Sequence, residues 1–328
     1  MTEENAESYK ELLKEVGELK EEVAGLRWSY RKMENDDAKT KFYTGLPTFP
    51  IFVWLFSFLE AKARAMTCRG KDDYSSRPRS GVLPLIDQLF ATLMRLRLGL
   101  FLQDLADRFQ MSSSAMSTIV TTWIFLLQKE LEALNPCPSK ATLRQAMPPQ
   151  FCHLTGLRFF LDCHEIQVES QSRMLPPSYP YSKYKRHAPA KFLVAISPAG
   201  LFTFVSDAWE GGASDREITQ RSGFLDLLKN GDLVLADKGF AISDLVTKRG
   251  AFLNIPPFLV NSSFAVREVY MMQMSAKVRS HVERAVGRVK RYHILNGVLP
   301  SSLKNMLGSI FKVCCWLSNL QEPLGNPS

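Results

Sequence analysis

The sequence predicts an α/β protein in which a mixed-sheet domain follows an all-α region and an N-terminal coiled coil. Apolar residues recur at alternating steps of three and four from Tyr9 to Met33, and the pattern stays helical from Leu83 to Leu134. After Pro148-Pro149 it changes to short β-type runs. The 328 residues, 45% of them hydrophobic, are enough for two or three such units.

The first segment, 1–40, carries Tyr9, Leu12, Val16, Leu19, Val23, Leu26, Tyr30 and Met33. With Tyr9 at heptad position a, Val16 and Val23 also fall at a and the three leucines at d, the choice that favours a parallel pair. A homodimer or higher oligomer through residues 9–33 is expected, the alternative being a lone amphipathic helix packed on its own protein. Gly17 and Gly25 weaken the helix. The next segment, 41–80, joins an apolar run, Phe49–Leu59, to a linker at Cys68–Arg79 rich in Pro, Gly, Ser and charge. The run is too short to span a bilayer and has the breakers Pro47 and Pro50 at its start, so no membrane partner is expected.

In segment 81–147, Leu102–Phe109, the turn Gln110-Met111-Ser112 and Ser113–Trp123 have the form helix, short turn, capped helix. As a helix-turn-helix, its serines cap the second helix and, with Thr118, Thr121 and Thr122, face phosphates or base edges. As an ordinary helical hairpin it would show the same pattern, and the second helix is short of Lys and Arg.

Segment 148–322 holds β-type runs at Leu157–Val168, Lys191–Ser197 and Leu201–Val205, a helical stretch at Asp215–Leu228, a fourth strand at Leu233–Ala236, and helices beyond. The link Ala199-Gly200 makes the second and third runs a hairpin. The fourth strand, reached by a helical crossover, should pair in parallel. Three strands, a helix and another strand is the order of a ribonuclease H-like α/β domain.

Three acids stand out. Asp162 lies inside the first strand, and Asp237 directly follows Leu233–Ala236, at the C-terminal end where open sheets place their sites. If those strands are neighbours, the two carboxylates meet and suit a hard divalent cation, which takes oxygen ligands. Glu283 sits on a helix with the apolar face Val278, Val282, Val286 and Val289, and shares its own face with Arg279, Gly287 and Lys290. Between Lys277 and Lys304 it is the only acid among seven Lys or Arg, so it is either a third metal ligand or a charge partner for Arg279. In two-metal chemistry, with ions about 4 Å apart, Asp162 would bridge, Asp237 would hold one ion and Glu283 the other. The other reading leaves Asp162 and Asp237 as solvated strand-end residues.

A net charge of +8 and a pI near 9.1 favour polyanionic partners. The loop Tyr179–Lys191 interleaves Tyr181, Lys183, Tyr184, Lys185, Arg186 and His187, as a DNA-contacting strand end does, or as a solvated hairpin loop does. Lys277, Arg284, Arg288 and Arg291 form a basic stripe by helical spacing. Lys238 beside Asp237, and Arg279 and Lys290 beside Glu283, complete the expected DNA contacts. Six cysteines without a CxxC pair, and no secretory leader, point to a reducing compartment. The pairs Cys152-His153 and Cys163-His164 do not suit zinc, because neighbouring side chains on a strand point to opposite faces.

Leu161–Ile166, Tyr181–His187, Lys191–Gly200, Gly211–Asp215, Leu235–Phe240 and Val278–Arg284 together resemble the core of PIF/Harbinger-like DDE transposases. Within that family the likeness is to the endonuclease branch often found behind a THAP zinc finger, and it covers about residues 80 to 320, the helix-turn-helix included. The resemblance implies that Asp162, Asp237 and Glu283 are catalytic ligands of Mg²⁺ or Mn²⁺, two ions in all. It also implies that DNA in the nucleus is the substrate, and that hydrolysis is followed by strand transfer in the same site. Asp215 would either approach the metal cluster from behind its ligands or serve as a helix N-cap. The chain departs from the family in starting with the coiled coil instead of a THAP finger, so a separate DNA-binding protein is an expected partner. A domesticated DNA-binding protein without catalysis is the alternative.

Overall fold

The computed structural model describes residues 9–18, 28–66, 83–135, 137–169, 187–237, 239–254 and 266–324. Its first helix, α1, spans residues 9–18. A 3-10 turn at Tyr30–Met33 leads to α2 (Asp37–Thr44), α3 (Phe49–Ala65), α4 (Leu85–Leu98), α5 (Leu102–Arg108), α6 (Ser113–Leu134) and α7 (Lys140–Gln145). Then come β1 (Leu157–Glu169), β2 (His187–Ile196), β3 (Phe202–Val205), β4 (Trp209–Glu210), α8 (Asp215–Arg221), β5 (Leu233–Ala236), α9 (Ser243–Thr247), β6 (Phe252–Asn254), α10 (Val266–Lys290), β7 (Val298–Leu299) and α11 (Leu307–Ser318).

The helical unit is built as a helix-turn-helix. Between α5 and α6 the chain turns through Gln110, whose φ of 51° is left-handed. The Ser112 hydroxyl accepts the Ala115 N–H at 3.2 Å and caps α6. Ser112 and Ser114 are exposed at that end. The threonines expected beside them differ. The Thr122 side chain is buried and donates to the Thr118 carbonyl, and Thr121 turns toward Met306. α6 is long enough that its middle belongs to the core, while its start is exposed.

The heptad expectation ends early. α1 leaves Tyr9, Leu12, Leu13 and Val16 exposed, as an unpaired seam would be, and Leu19, Val23 and Leu26 lie outside the described residues. Ser29 is extended, and beyond it Met33 is fully buried while Tyr30 stacks on Phe49 and Phe52. Those last two heptad positions therefore fill the protein's own core rather than a seam between copies. The boundary expected near residue 40 falls inside α2, and Leu46, Phe52, Leu55 and Leu59 share one core with Phe90, Phe109 and Trp123 of the helix-turn-helix unit. The expected linker at Cys68–Arg79 lies outside the described residues.

In the sheet, the order is β3-β2-β1-β5-β6, with β4 on β2 and β7 on the far end of β1. β1, β2 and β3 pair antiparallel; β5 joins β1, and β6 joins β5, in parallel. This is the expected topology. Alternation along β1 puts Phe160, Ile166 and Val168 on one face and Phe159 and Leu161 on the other. The first face packs under Val286 and Val289 of α10 and Phe311 of α11, and its core runs on into the helical unit. The second is covered by Ile218 of α8 and Leu245 and Val246 of α9.

The β1–β5 register is held by charge as well as by apolar fit. Arg158, on β1, donates to the Asp232 carboxylate just before β5 at 2.6 Å, and both side chains are buried. Lys140 of α7 reaches the other Asp232 oxygen at 2.9 Å, and the Lys229 N–H adds a third contact at 2.7 Å. Burial works against ionisation of Asp232, but these partners prevail and hold its carboxyl below the usual range. Asp232→Ala would leave Arg158 buried without its counter-ion. It is expected to cost about 3–5 kcal/mol in urea unfolding, whereas a loss below about 1 kcal/mol would show that apolar packing alone sets the register.

Candidate active site

Parallel pairing of β1 with β5 brings the first two acids together. Leu161 is opposite Ala236, so Asp162 and Asp237 are the next residues along each strand. β5 ends at Ala236, which opens the sheet beside Asp162. Asp237 is exposed and Asp162 half-buried. Burial first, then the negative charges of Asp237 and Asp215, push the Asp162 carboxyl up to about 6. The Cys163 backbone N–H and the Lys290 ammonium oppose that rise.

Asp215 enters from the opposite side of β1. The N-cap of α8 is Ser214, whose hydroxyl accepts the Glu217 N–H at 3.1 Å, so Asp215 occupies the first helical position. The expectation that Asp215 itself caps the helix is corrected by one residue, and its carboxylate is released to face Cys163 and Gly239. Lys191 of β2 lies 3.7 Å from Asp215 and 3.5 Å from Glu165, and donates to the Ala213 carbonyl. Neither Lys191 nor Glu165 stood out in the sequence as part of the site. The signal was their alternation: Glu165 is opposite Lys191 in the β1–β2 register.

Glu283 is placed differently from Asp162 and Asp237. It is exposed on α10 and accepts from the Arg279 guanidinium one turn earlier at 3.1 Å. Among the described residues no group of three or more His, Cys, Asp and Glu side chains is arranged to hold a metal ion. From α10, the charge of Lys290 acts on Asp162, and it also joins burial in pushing the His164 imidazole down to about 4. The expected apolar face of α10 is in place, with Val286 and Val289 buried and Val278 and Val282 against the same core. A Cβ at Gly287 would meet nothing within 4 Å, so the helix is open there as expected.

Of the expected DNA contacts, Arg284, Arg291 and Lys277 are exposed on α10 or just beyond it, and Arg288 is partly buried. Burial and the neighbouring charge of Arg291 depress the Arg288 guanidinium from its ordinary value. Lys183, Lys185, Arg186 and Lys238 lie outside the described residues.

Residues 161–319 match the family described as DDE superfamily endonuclease, and residues 81–133 match the helix-turn-helix of DDE superfamily endonuclease. The chain carries a DDE superfamily endonuclease domain. The helix-turn-helix reading of α5 and α6 holds with it, and Asp162 and Asp237 both fall inside the matched endonuclease segment. A curated relative, Protein ALP1-like of Arabidopsis thaliana, is 23% identical over 269 residues, covering 76% of this chain. The chain spans 65% of that relative's length. Among solved structures, a pre-cleavage Mos1 transpososome is 10% identical with a TM-score of 0.23, covering 81% of this chain and 83% of that one. The Mos1 mariner paired end complex with Mn is 11% identical at 0.22, covering 82% and 83%.

The carboxylates of the endonuclease domain fit a hard divalent cation in part. Asp162 and Asp237 offer oxygen ligands on adjacent strands, and a cation between them would relieve the like-charge repulsion that raises Asp162. Among the described residues no third His, Cys, Asp or Glu is grouped with them to hold a metal. Without metal, a carboxyl whose folded value is about 6 against 3.8 unfolded costs stability above that window and nothing below it. Asp162→Asn is therefore expected to stabilise the chelator-treated protein near neutral pH by about 3 kcal/mol. The gain should fade between about pH 6 and pH 4 in thermal scans. An unchanged or lower Tm near neutral pH would place Asp162 in a fully solvated setting.

Proposed function

We propose that this chain is a divalent-metal-dependent DNA endonuclease of the transposase type, acting in the nucleus on phosphodiester bonds. The observation that carries the reading is the half-buried Asp162 next to Asp237 at the open end of a parallel strand pair, its carboxyl raised first by burial and then by the charge of Asp237. Asp162 and Asp237 would hold Mg²⁺ or Mn²⁺, which when bound polarises the phosphate and the attacking oxygen. Glu283 would complete the ligand set after exchanging Arg279 for the metal, an exposed ion pair of this kind being worth only about 0.3–0.5 kcal/mol. In cleavage, a water oxygen bonds to phosphorus as the bond to the 3′-oxygen breaks, leaving a 5′-phosphate and a 3′-hydroxyl. In strand transfer that 3′-hydroxyl takes the place of water at a second phosphodiester. The first turn of α6 and the basic residues Arg284, Lys290 and Arg291 would hold the DNA backbone.

A homodimer or larger assembly through α1, and a separate sequence-specific DNA-binding protein, belong to the same proposal. The exposed stripe Tyr9, Leu12 and Val16 supports the first, and the shortage of Lys and Arg on α6 supports the second. One observation favours a second reading, a domesticated DNA-binding protein without cleavage: Glu283 pairs with Arg279 and, among the described residues, is not grouped with the other two acids to hold a metal.

Nicking of supercoiled plasmid separates the two. With Mg²⁺ or Mn²⁺ the protein is expected to nick, with chelator it is not, and Asp237→Asn is expected to lose more than about 100-fold in rate, beyond the loss typical of groups that merely support a ligand. Plasmid binding that weakens with salt, without nicking under any metal, would favour the domesticated reading.

A further inference from the structure

The helix-turn-helix unit grips the end of α10. Arg97, in the last turn of α4, donates its Nη1–H to the Arg291 carbonyl at 2.6 Å, a contact across 194 residues of chain. The same guanidinium lies over the Tyr292 ring, 6.0 Å from its centre. Tyr292 is fully buried, and its hydroxyl has no hydrogen-bond partner among the described residues. On its other side is Gly45, the left-handed cap of α2, where a Cβ would come within 3.0 Å of that hydroxyl. Gly99, the left-handed cap of α4, meets the next peptide, where a Cβ would lie 3.1 Å from the His293 carbonyl carbon. The backbone from 291 to 293 is thus clamped by three points of the helical unit.

The clamp closes one residue after Lys290. Val286 and Val289, one turn and one residue before it, pack on the face of β1 that carries Phe160, the face to which alternation also assigns Asp162, and the charge of the Lys290 ammonium acts on Asp162. A shift of the peptide at Arg291 would therefore move that ammonium relative to the carboxylate pair. Arg97 is itself only partly exposed, which suits a tie better than a phosphate contact.

We propose that Arg97 is a positioning residue of the nuclease: by holding the Arg291 carbonyl it fixes the end of α10 over the β1 face that bears Asp162, so that the helix-turn-helix unit is a structural part of the active site. This rests on the proposed nuclease activity. The role needs a donor at residue 97 rather than a charge, which distinguishes it from DNA binding.

The test uses the full chain with Arg97→Met, which keeps the bulk and loses the donor, and Arg97→Gln, which keeps a neutral donor. At saturating plasmid and Mn²⁺, Arg97→Met is expected to nick about 10-fold to 100-fold more slowly, the scale of a small misplacement near reacting groups. Arg97→Gln should recover most of that rate. Hydrogen exchange of amides 289–295 should rise in Arg97→Met and not in Arg97→Gln. Parental nicking and exchange in Arg97→Met would overturn the proposal. So would a salt dependence reduced by about one phosphate with the saturated rate intact. If Arg97→Met does not fold, a saturated rate in Arg97→Gln more than about 10-fold below the parent would overturn it too. If the parent protein itself nicks no DNA, the nuclease reading fails while amide exchange still decides the tie: equal exchange in the parent and Arg97→Met removes it.

Discussion

The site depends on one buried ion pair. Arg158 on β1 and Asp232 before β5 meet at 2.6 Å at the closed end of the strand pair. Both flank the same parallel ladder that ends with Asp162 next to Asp237. A strand slipped by one residue turns every side chain to the other face. In such a slip Asp237 would lose its neighbour and Arg158 its counter-ion together. Removing the partner of a buried charge costs several kcal/mol, so the register that builds the site is also the one the fold defends. Burial of Asp162, and after it the charge of Asp237, opposes folding at the open end, while the ion pair at the closed end favours it.

The rest of the molecule surrounds this strand pair unequally. The face bearing Phe160 is covered by α10 and α11 and is continuous with the core of the helix-turn-helix unit, whose long helix α6 runs against α11. Asn319, just after α11, donates to Asn135 at the end of α6 and bonds both backbone groups of Phe202 on β3. The helix α6 is therefore linked to the sheet through packed side chains rather than through a flexible joint. The opposite face, under α8 and α9, carries Asp215 and the Lys191 ion pairs. Charge thus reaches Asp162 from both sides of the sheet: Lys290 from one and Asp215 from the other.

Much of this was legible in the sequence where local pattern and tertiary demand agree. The run Leu233–Ala236 became β5 with the expected bounds and direction, and the hairpin at Ala199-Gly200 formed with Gly200 at a φ of 83°. The meeting of Asp162 and Asp237 was conditional on their strands being neighbours, and the β1–β5 pairing meets that condition. What was not legible is long-range. Tyr30 and Met33 fit the heptad spacing but fill the protein's own core, because spacing says which face is apolar and not what covers it. Thr121 and Thr122 look like DNA contacts on a helix wheel, yet α11 packs there. The short strands β6 and β7 have too few residues for a period to show. The charges Arg158 and Asp232 were visible as isolated ions flanking apolar strand runs, but only the fold shows that they meet. On α10, helical spacing gave the right apolar face, while the polar side is shared by Glu283, which turns to Arg279, and Lys290, which acts on Asp162.

The claim that the β1–β5 register makes a cation site of Asp162 and Asp237 can be tested by letting the cation mark its own position. Ferrous ion in place of Mg²⁺, with ascorbate and peroxide, generates radicals that cut the backbone beside the bound metal. The account predicts two sets of fragments, one from cleavage near residue 162 and one near residue 237, both suppressed by excess Mg²⁺ and both absent from Asp162→Asn. Cleavage confined to other segments, or fragments at 162 and 237 that survive in Asp162→Asn, would contradict it.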